Sequence, residues 1–159
     1  GLVACDVGAA PGGWTKFLSG LSFVRHVVAV DPGQLDARVA SLPNVTHIAL
    51  KAEEAVLRPG NAASALDRVG LGPFGLIVCD SNNDARDTAR DLVLPLASYL
   101  KPGAPLILTV KLPRRASLAL GVSRCKDVEA ILGGAFRDFR SEWLFANSNN
   151  ERTVICYRR

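Results

Sequence analysis

The sequence predicts an α/β fold: a doubly wound, mostly parallel sheet of seven strands with one strand reversed near an edge. Three observations lead there. Apolar runs without polar alternation, such as Phe74-Gly75-Leu76-Ile77-Val78-Cys79-Asp80, have the composition of strands buried on both faces. Helix-compatible segments separate the first six such runs, as parallel neighbours require. A short turn, Asn147-Ser148-Asn149-Asn150, joins the last two, so these pair antiparallel. With 159 residues and 48% apolar side chains, the chain can bury a full core, and disorder is excluded.

The first strand begins with Leu2-Val3-Ala4-Cys5 and enters the stretch Asp6-Val7-Gly8-Ala9-Ala10-Pro11-Gly12-Gly13-Trp14-Thr15. A helix leaves that stretch at 14–18. Strands follow at 26–31 and 45–50, the first ending in the turn Asp31-Pro32-Gly33. Lys51-Ala52-Glu53-Glu54 reads as a solvated helix start, and a short helix over 61–69 stops at Gly70 and Gly72. The fourth strand spans 74–80. The loop Ser81-Asn82-Asn83-Asp84 supplies an N-cap for a helix to about Tyr99, bent at Pro95 and stopped by Lys101-Pro102-Gly103. The fifth strand, 104–110, carries Lys111 at its carboxyl end. Residues 112–123 read as a surface loop, 125–132 as a helix stopped by Gly133-Gly134, 136–145 as a long strand, and 152–157 as the final strand. Without repeats or a linker, residues 1–159 form a single domain. Gly1 immediately before a core strand and the absence of methionine suggest a domain cut from a longer chain.

Strand, glycine-rich turn and helix is the arrangement by which parallel sheets bring backbone N–H groups to a nucleotide-like ligand. Gly8, Gly12 and Gly13 allow a sharp turn and close approach, and Pro11 presets φ near the helix start. The spacing, G-x-x-x-G-G, is neither the dinucleotide fingerprint nor a Walker A loop. Asp6 before the first glycine and Trp14 after the last favour a ligand loop over a plain turn. Asp31 can accept hydrogen bonds from two ribose hydroxyls, or can simply form the turn ahead of Pro32-Gly33. Asp80 and Lys111 fall at the carboxyl ends of their strands, and Glu151 at the amino end of the last. If that last strand is reversed, all three converge beside the glycine loop.

No apolar run is long enough to span a bilayer, and no signal peptide opens the chain. The net charge of +4 includes the pairs Arg114-Arg115 and Arg158-Arg159, for which phosphate is the natural partner. Cys5, Cys79, Cys125 and Cys156 lack metal-type spacing. They read as small buried hydrophobes in the cytoplasm or another reducing compartment, and no metal site is expected.

Asp6 through Trp14 resembles the S-adenosylmethionine-binding motif of the FtsJ-like ribose 2'-O-methyltransferases, which act on RNA. The resemblance recurs, in the family's order, at Asp31, Cys79-Asp80, Val110-Lys111-Leu112-Pro113 and Glu151-Arg152-Thr153-Val154. The Lys111-to-Arg115 run and the Glu-Arg-Thr-Val ending are most similar to the branch that modifies a cytidine of large-subunit ribosomal RNA. The resemblance implies a Rossmann-like methyltransferase fold and S-adenosyl-L-methionine as cofactor. It implies cofactor contacts from Asp6, Gly8, Pro11, Gly12, Gly13, Trp14, Asp31, Glu53 and Asp80, and catalysis by Asp80, Lys111 and Glu151. RNA, in the first place ribosomal RNA, is the implied partner, with an upstream substrate-binding region in the parent chain. The family's set begins with another lysine before the glycine motif, and this chain starts too late to contain it. Asp80-Ser81-Asn82-Asn83 also departs from the family's Asp-Met-Ala-Pro. These departures keep open a non-catalytic RNA-binding module with a residual cofactor pocket. An enzyme acting on a small molecule or protein side chain is the third reading. Two nearby carboxylates favour the ammonium form of Lys111, so either base or electrostatic stabiliser stays open for it.

Overall fold

The computed structural model describes residues 1–57, 62–144, 147, 148 and 150–159. Seven strands make one sheet: β1 (Leu2–Val7), β2 (Val24–Val30), β3 (Val45–Ile48), β4 (Leu76–Cys79), β5 (Pro105–Lys111), β6 (Phe136–Glu142) and β7 (Glu151–Arg158). Their order is β3-β2-β1-β4-β5-β7-β6. β1 to β5 run parallel, and β7 is antiparallel to both neighbours, β5 and β6. This is the expected doubly wound sheet, with the reversed strand one place from the edge.

Alternation along the central strands decides which cluster each side chain joins. Val3, Cys5 and Val7 of β1 pack in the larger cluster with Ile77, Leu106, Leu108 and Val154, against Val128 and Leu132 of the last helix. Ala4 packs in a second cluster with Val27, Leu76 and Val78, against Leu18 of the first helix. Both faces are therefore covered near β1 and β4, which is why these strands read as continuous apolar runs. All four cysteines are free and buried.

The helices are α1 (Gly13–Ser19), α2 (Ala37–Ala40), α3 (Ala52–Val56), α4 (Ala65–Val69), α5 (Ala85–Asp87), α6 (Leu94–Leu96) and α7 (Leu118–Leu132). Asp84 caps α5 by accepting from the Arg86 N–H at 2.9 Å, as the loop sequence suggested. Between α5 and α6 the backbone widens into a π-helical segment, Thr88–Val93. It immediately precedes the turn holding Pro95, where the ring excludes one ladder bond. α4 begins at Ser64 through a reciprocal capping box with Asp67 and ends at Gly70 in the left-handed region. Position 61, where a helix start was expected, lies outside the described residues.

Two expectations are corrected. Residues 118–123 are helical rather than loop, because Ser117 caps α7 by accepting from the Leu120 N–H at 3.1 Å. Gly121, Cys125, Val128 and Leu132 then form one buried stripe at helical spacing. β6 ends at Glu142, short of 145, which lies outside the described residues together with 146 and 149. Among the described residues no helix is long and apolar enough to cross a membrane.

Candidate active site

Three strand ends are tied together at the glycine loop. The N–H groups of Gly8 and Ala9 donate to the Val30 carbonyl at 3.0 and 3.3 Å, and the Asp80 N–H donates to the Val7 carbonyl at 2.9 Å. Gly8 has φ 79°, and a Cβ there would stand 2.5 Å from the Asp80 carbonyl oxygen. Only glycine lets β1 close against the residue that follows β4. Gly12, with φ 115°, is the N-cap of α1 and lies against Val39 of α2. The Pro11 carbonyl accepts from the Asp36 N–H at 2.8 Å. Asp31 holds the loop from the other side: Oδ1 accepts from the Gly33 N–H at 2.7 Å and Oδ2 from the Ala10 N–H at 3.2 Å. The turn role considered for Asp31 is thus realised, and its half-buried carboxylate also borders the adjoining cavity.

Asp80, Lys111 and Glu151 come together, as the reversed last strand requires. Lys111 and Glu151 are register partners across the β5–β7 pair. Lys111 Nζ donates to Glu151 Oε1 at 2.7 Å and forms an ion pair with Asp80 Oδ1 at 2.7 Å. Glu151 Oε2 accepts from the Ser148 N–H at 2.9 Å, and the Leu112 N–H donates to the Asn150 carbonyl at 2.8 Å. The turn before β7 is thereby locked to the end of β5. Burial alone would lower the Lys111 pKa, but the two carboxylates outweigh it, and the pKa stands above its ordinary 10.5. Burial likewise pushes Glu151 upward, but Lys111 and the Ser148 N–H prevail and hold it below the usual carboxylate value. At neutral pH the group is an ammonium flanked by two carboxylates.

Asp6 is fully buried beneath the loop. Oδ2 accepts from the Thr15 hydroxyl at 2.6 Å, whereas Oδ1 has no hydrogen-bond partner among the described residues. Burial is the main cause that raises its pKa to about 6. The Thr15 hydrogen bond opposes the shift, and the charges of Asp80 and Asp31 add to it.

A cavity of about 640 Å³ opens at the carboxyl ends of the strands. Of the residues singled out in the sequence, Gly8, Asp31, Glu53, Asp80 and Lys111 line it. Glu151 is one hydrogen bond removed. Asp6 lies below the loop, and Trp14 packs against the second core cluster with its ring edge-on to Phe17. Pro11, Gly12 and Gly13 face a separate cavity of about 470 Å³ beside Lys16 and Arg38. Sequence reasoning missed Lys51, Glu54 and the Ser81-Asn82-Asn83 loop as lining residues. Their signal was position: each lies in a segment between the end of a parallel strand and the helix after it or in that helix's first turn, where the sheet's ligand crevice lies. Among the described residues no group of three or more His, Cys, Asp and Glu side chains could hold a metal ion.

No curated protein matches the chain in sequence. Among solved structures, two similar ones carry provisional names. One is a hemolysin from Lactococcus lactis, at 16% identity and TM-score 0.78, covering 100% of this chain and 79% of that one. The other is a ribosomal RNA methyltransferase from Plasmodium falciparum, at 16% identity and TM-score 0.64, covering 99% and 86%. A third is the fibrillarin pre-rRNA processing protein of Methanococcus jannaschii, at 14% identity and TM-score 0.71, covering 99% and 66%. At these identities the likeness is one of fold. The FtsJ-like methyltransferase family matches residues 1–109, more than half the sequence, with the glycine loop, Asp31 and Asp80 inside the match. The chain therefore belongs to the FtsJ-like methyltransferases, whose methyl donor is S-adenosyl-L-methionine.

Proposed function

We propose that this methyltransferase domain, residues 1–159, transfers the methyl group of S-adenosyl-L-methionine to a ribose 2'-hydroxyl of RNA, in the first place ribosomal RNA. The observation that carries the reading is Lys111, held at 2.7 Å by Asp80 on one side and by Glu151 on the other, at the edge of the strand-end cavity. The cavity suits the cofactor's charge: Asp31, Glu53, Glu54 and Asp80 contribute four carboxylates against the two ammonium groups of Lys51 and Lys111. A sulfonium bearing an amino group is cationic and is attracted to such an excess. Asp31, bordering the cavity at the end of β2, is the acceptor for the cofactor ribose, and Glu53 is the candidate contact for the adenine amino group. Asp6 and Trp14 support the loop, and its Pro11, Gly12 and Gly13 border the separate cavity.

When bound, the cofactor supplies a methyl group already activated on a sulfonium, with a neutral leaving group. The chain's own residues have two tasks: to hold the ribose oxygen in line and to handle its proton. Lys111 is an ammonium at neutral pH, so it acts as the hydrogen-bond donor that stabilises negative charge growing on the ribose oxygen. Glu151, pinned through both oxygens, fixes where Nζ points. The hydroxyl proton leaves through Asp80, the more exposed of the two carboxylates, to solvent. Four buried cysteines fit a reducing compartment.

The test is methyl transfer from labelled S-adenosyl-L-methionine to ribosomal RNA. A 2'-O-methyl product is recognised by resistance of the adjacent phosphodiester to alkali. The Ser81-Asn82-Asn83 stretch beside Asp80 motivates the second reading, an RNA-binding module without catalysis. Calorimetry separates the two: RNA binding with no cofactor uptake favours the module. RNA affinity insensitive to salt counts against both and favours a small-molecule or protein acceptor.

A further inference from the structure

One aromatic residue on the active-site rim has no part in the core. Trp143, the first residue after β6, is 61% exposed. One step beyond the Glu142–Thr153 register pair, it stands opposite Arg152, whose guanidinium carbon lies 4.9 Å from the ring centroid. Arg152 is itself fixed: Nη1 donates to the Glu151 carbonyl at 2.8 Å, and its side chain runs beside Gly121 of α7. Leu144, next in the chain, is held too. The Leu144 N–H and the Thr153 hydroxyl both donate to Asn147 Oδ1, at 2.8 and 3.0 Å. An exposed indole is thus seated on an arginine whose backbone neighbour is a member of the Asp80–Lys111–Glu151 set. Val110 pairs with Arg152, so Trp143 is two strand spacings, about 10 Å, from the end of β5.

In the segment that follows β5, Arg114, Arg115 and Ala116 border a groove of about 650 Å³ together with Asn150, two residues before Arg152. Both arginines are exposed, and Arg115 holds φ at 59°, a backbone conformation that non-glycine residues seldom adopt. A flat aromatic face beside clustered guanidinium groups is the chemistry that binds an unpaired nucleotide, base on ring and phosphate on cation. We infer that Trp143, seated on Arg152, is a stacking platform for an unpaired base neighbouring the acceptor nucleotide, and that Arg114 and Arg115 take the adjoining phosphates. The inference rests on the RNA reading above. Leu118 and Val122, exposed on α7, make a protein-docking patch the competing use of this rim.

The experiment measures binding of a labelled single-stranded RNA oligonucleotide by anisotropy over a salt series, alongside methyl transfer to ribosomal RNA. The proteins are wild type, Trp143→Ala, Trp143→Phe and the double variant Arg114→Ala/Arg115→Ala. Trp143→Ala weakens RNA binding about 5- to 150-fold, the range of one base–aromatic stack, with its salt slope unchanged. Trp143→Phe recovers most of the loss, and cofactor uptake by calorimetry stays at the wild-type level in both. The double arginine variant lowers the salt slope by about 1.4, the value for two phosphates of a single strand. RNA affinity within twofold of wild type in Trp143→Ala overturns the platform, and so does a change in self-association with RNA affinity intact. Wild-type protein that binds RNA through Trp143 but transfers no methyl group refutes the catalytic reading and leaves the platform standing. Wild-type protein that binds no RNA overturns both.

Discussion

At the scale of single residues, the proposed mechanism turns on Lys111. A lysine acting as base would show log rate rising with unit slope toward its pKa. Its pKa lies above 10.5, so as a cationic stabiliser it predicts a rate independent of Lys111 ionisation between pH 6 and pH 10, then falling as the ammonium is lost. Lys111→Ala should cost about 100-fold or more in methyl transfer while changing cofactor affinity much less, because the lost donor acts on the transition state. Asp6 offers a stability test of opposite character. Its pKa rises from 3.8 to about 6 on folding, so its ionisation costs nothing below pH 3.8, costs progressively more as pH rises to 6, and costs the full amount above that. The full cost is about 3 kcal/mol, from roughly two units at 1.36 kcal/mol each. Chemical denaturation at pH 4 and pH 7 should show Asp6→Asn gaining about 2 kcal/mol relative to wild type across the interval, since part of the cost is already present at pH 4. Asp80, Lys111 and Glu151 were legible because each stands at a strand end. Asp6 was legible as the acid before the first glycine. Its burial under Thr15 is a tertiary fact that spacing does not encode.

The elements are held by a few local devices, and these set what mutation should do. Gly8 keeps β1 against the Asp80 backbone; Gly8→Ala incurs at least the 1–2 kcal/mol left-handed penalty plus a 2.5 Å contact with a carbonyl oxygen. The expected result is a lower denaturation midpoint together with weaker cofactor binding, because the same contact positions Asp80. Ser117→Ala removes the α7 cap and should cost about 1 kcal/mol by denaturant titration, with cofactor uptake unchanged. α7 was half-missed because its first turns, Leu118 to Arg124, present exposed Leu118 and Val122 on a surface rich in polar residues. The 3.6-residue stripe from Gly121 becomes visible only with Leu112 and Arg152 packed near it. By contrast, β5 was readable to within one residue at each end and β4 to within two. Burial on both faces leaves a run of apolar side chains that no helix of that length would need.

At the scale of the whole molecule, one topological fact assembles the site: β7 enters the sheet antiparallel between β5 and β6. Had β7 run parallel, Glu151 would begin at the opposite rim and Lys111 would have one carboxylate instead of two. The short turn before β7 made its antiparallel pairing legible in sequence, whereas its insertion between β5 and β6 is a tertiary fact that the turn does not encode. The same rim carries Asp31 and Glu53 toward one side and Arg114, Arg115 and Trp143 toward the other, so the acidic cavity proposed for the cofactor and the basic, aromatic edge proposed for RNA lie on either side of Lys111. The most direct measurement of this account is transfer of labelled methyl from S-adenosyl-L-methionine to ribosomal RNA by the full-length protein and by its Lys111→Ala variant, with the modified position mapped by alkali resistance. The account predicts a single alkali-resistant linkage with wild type and loss of at least about 100-fold in rate with the variant. Undiminished transfer by Lys111→Ala, or label found on a base instead of a ribose, would contradict it.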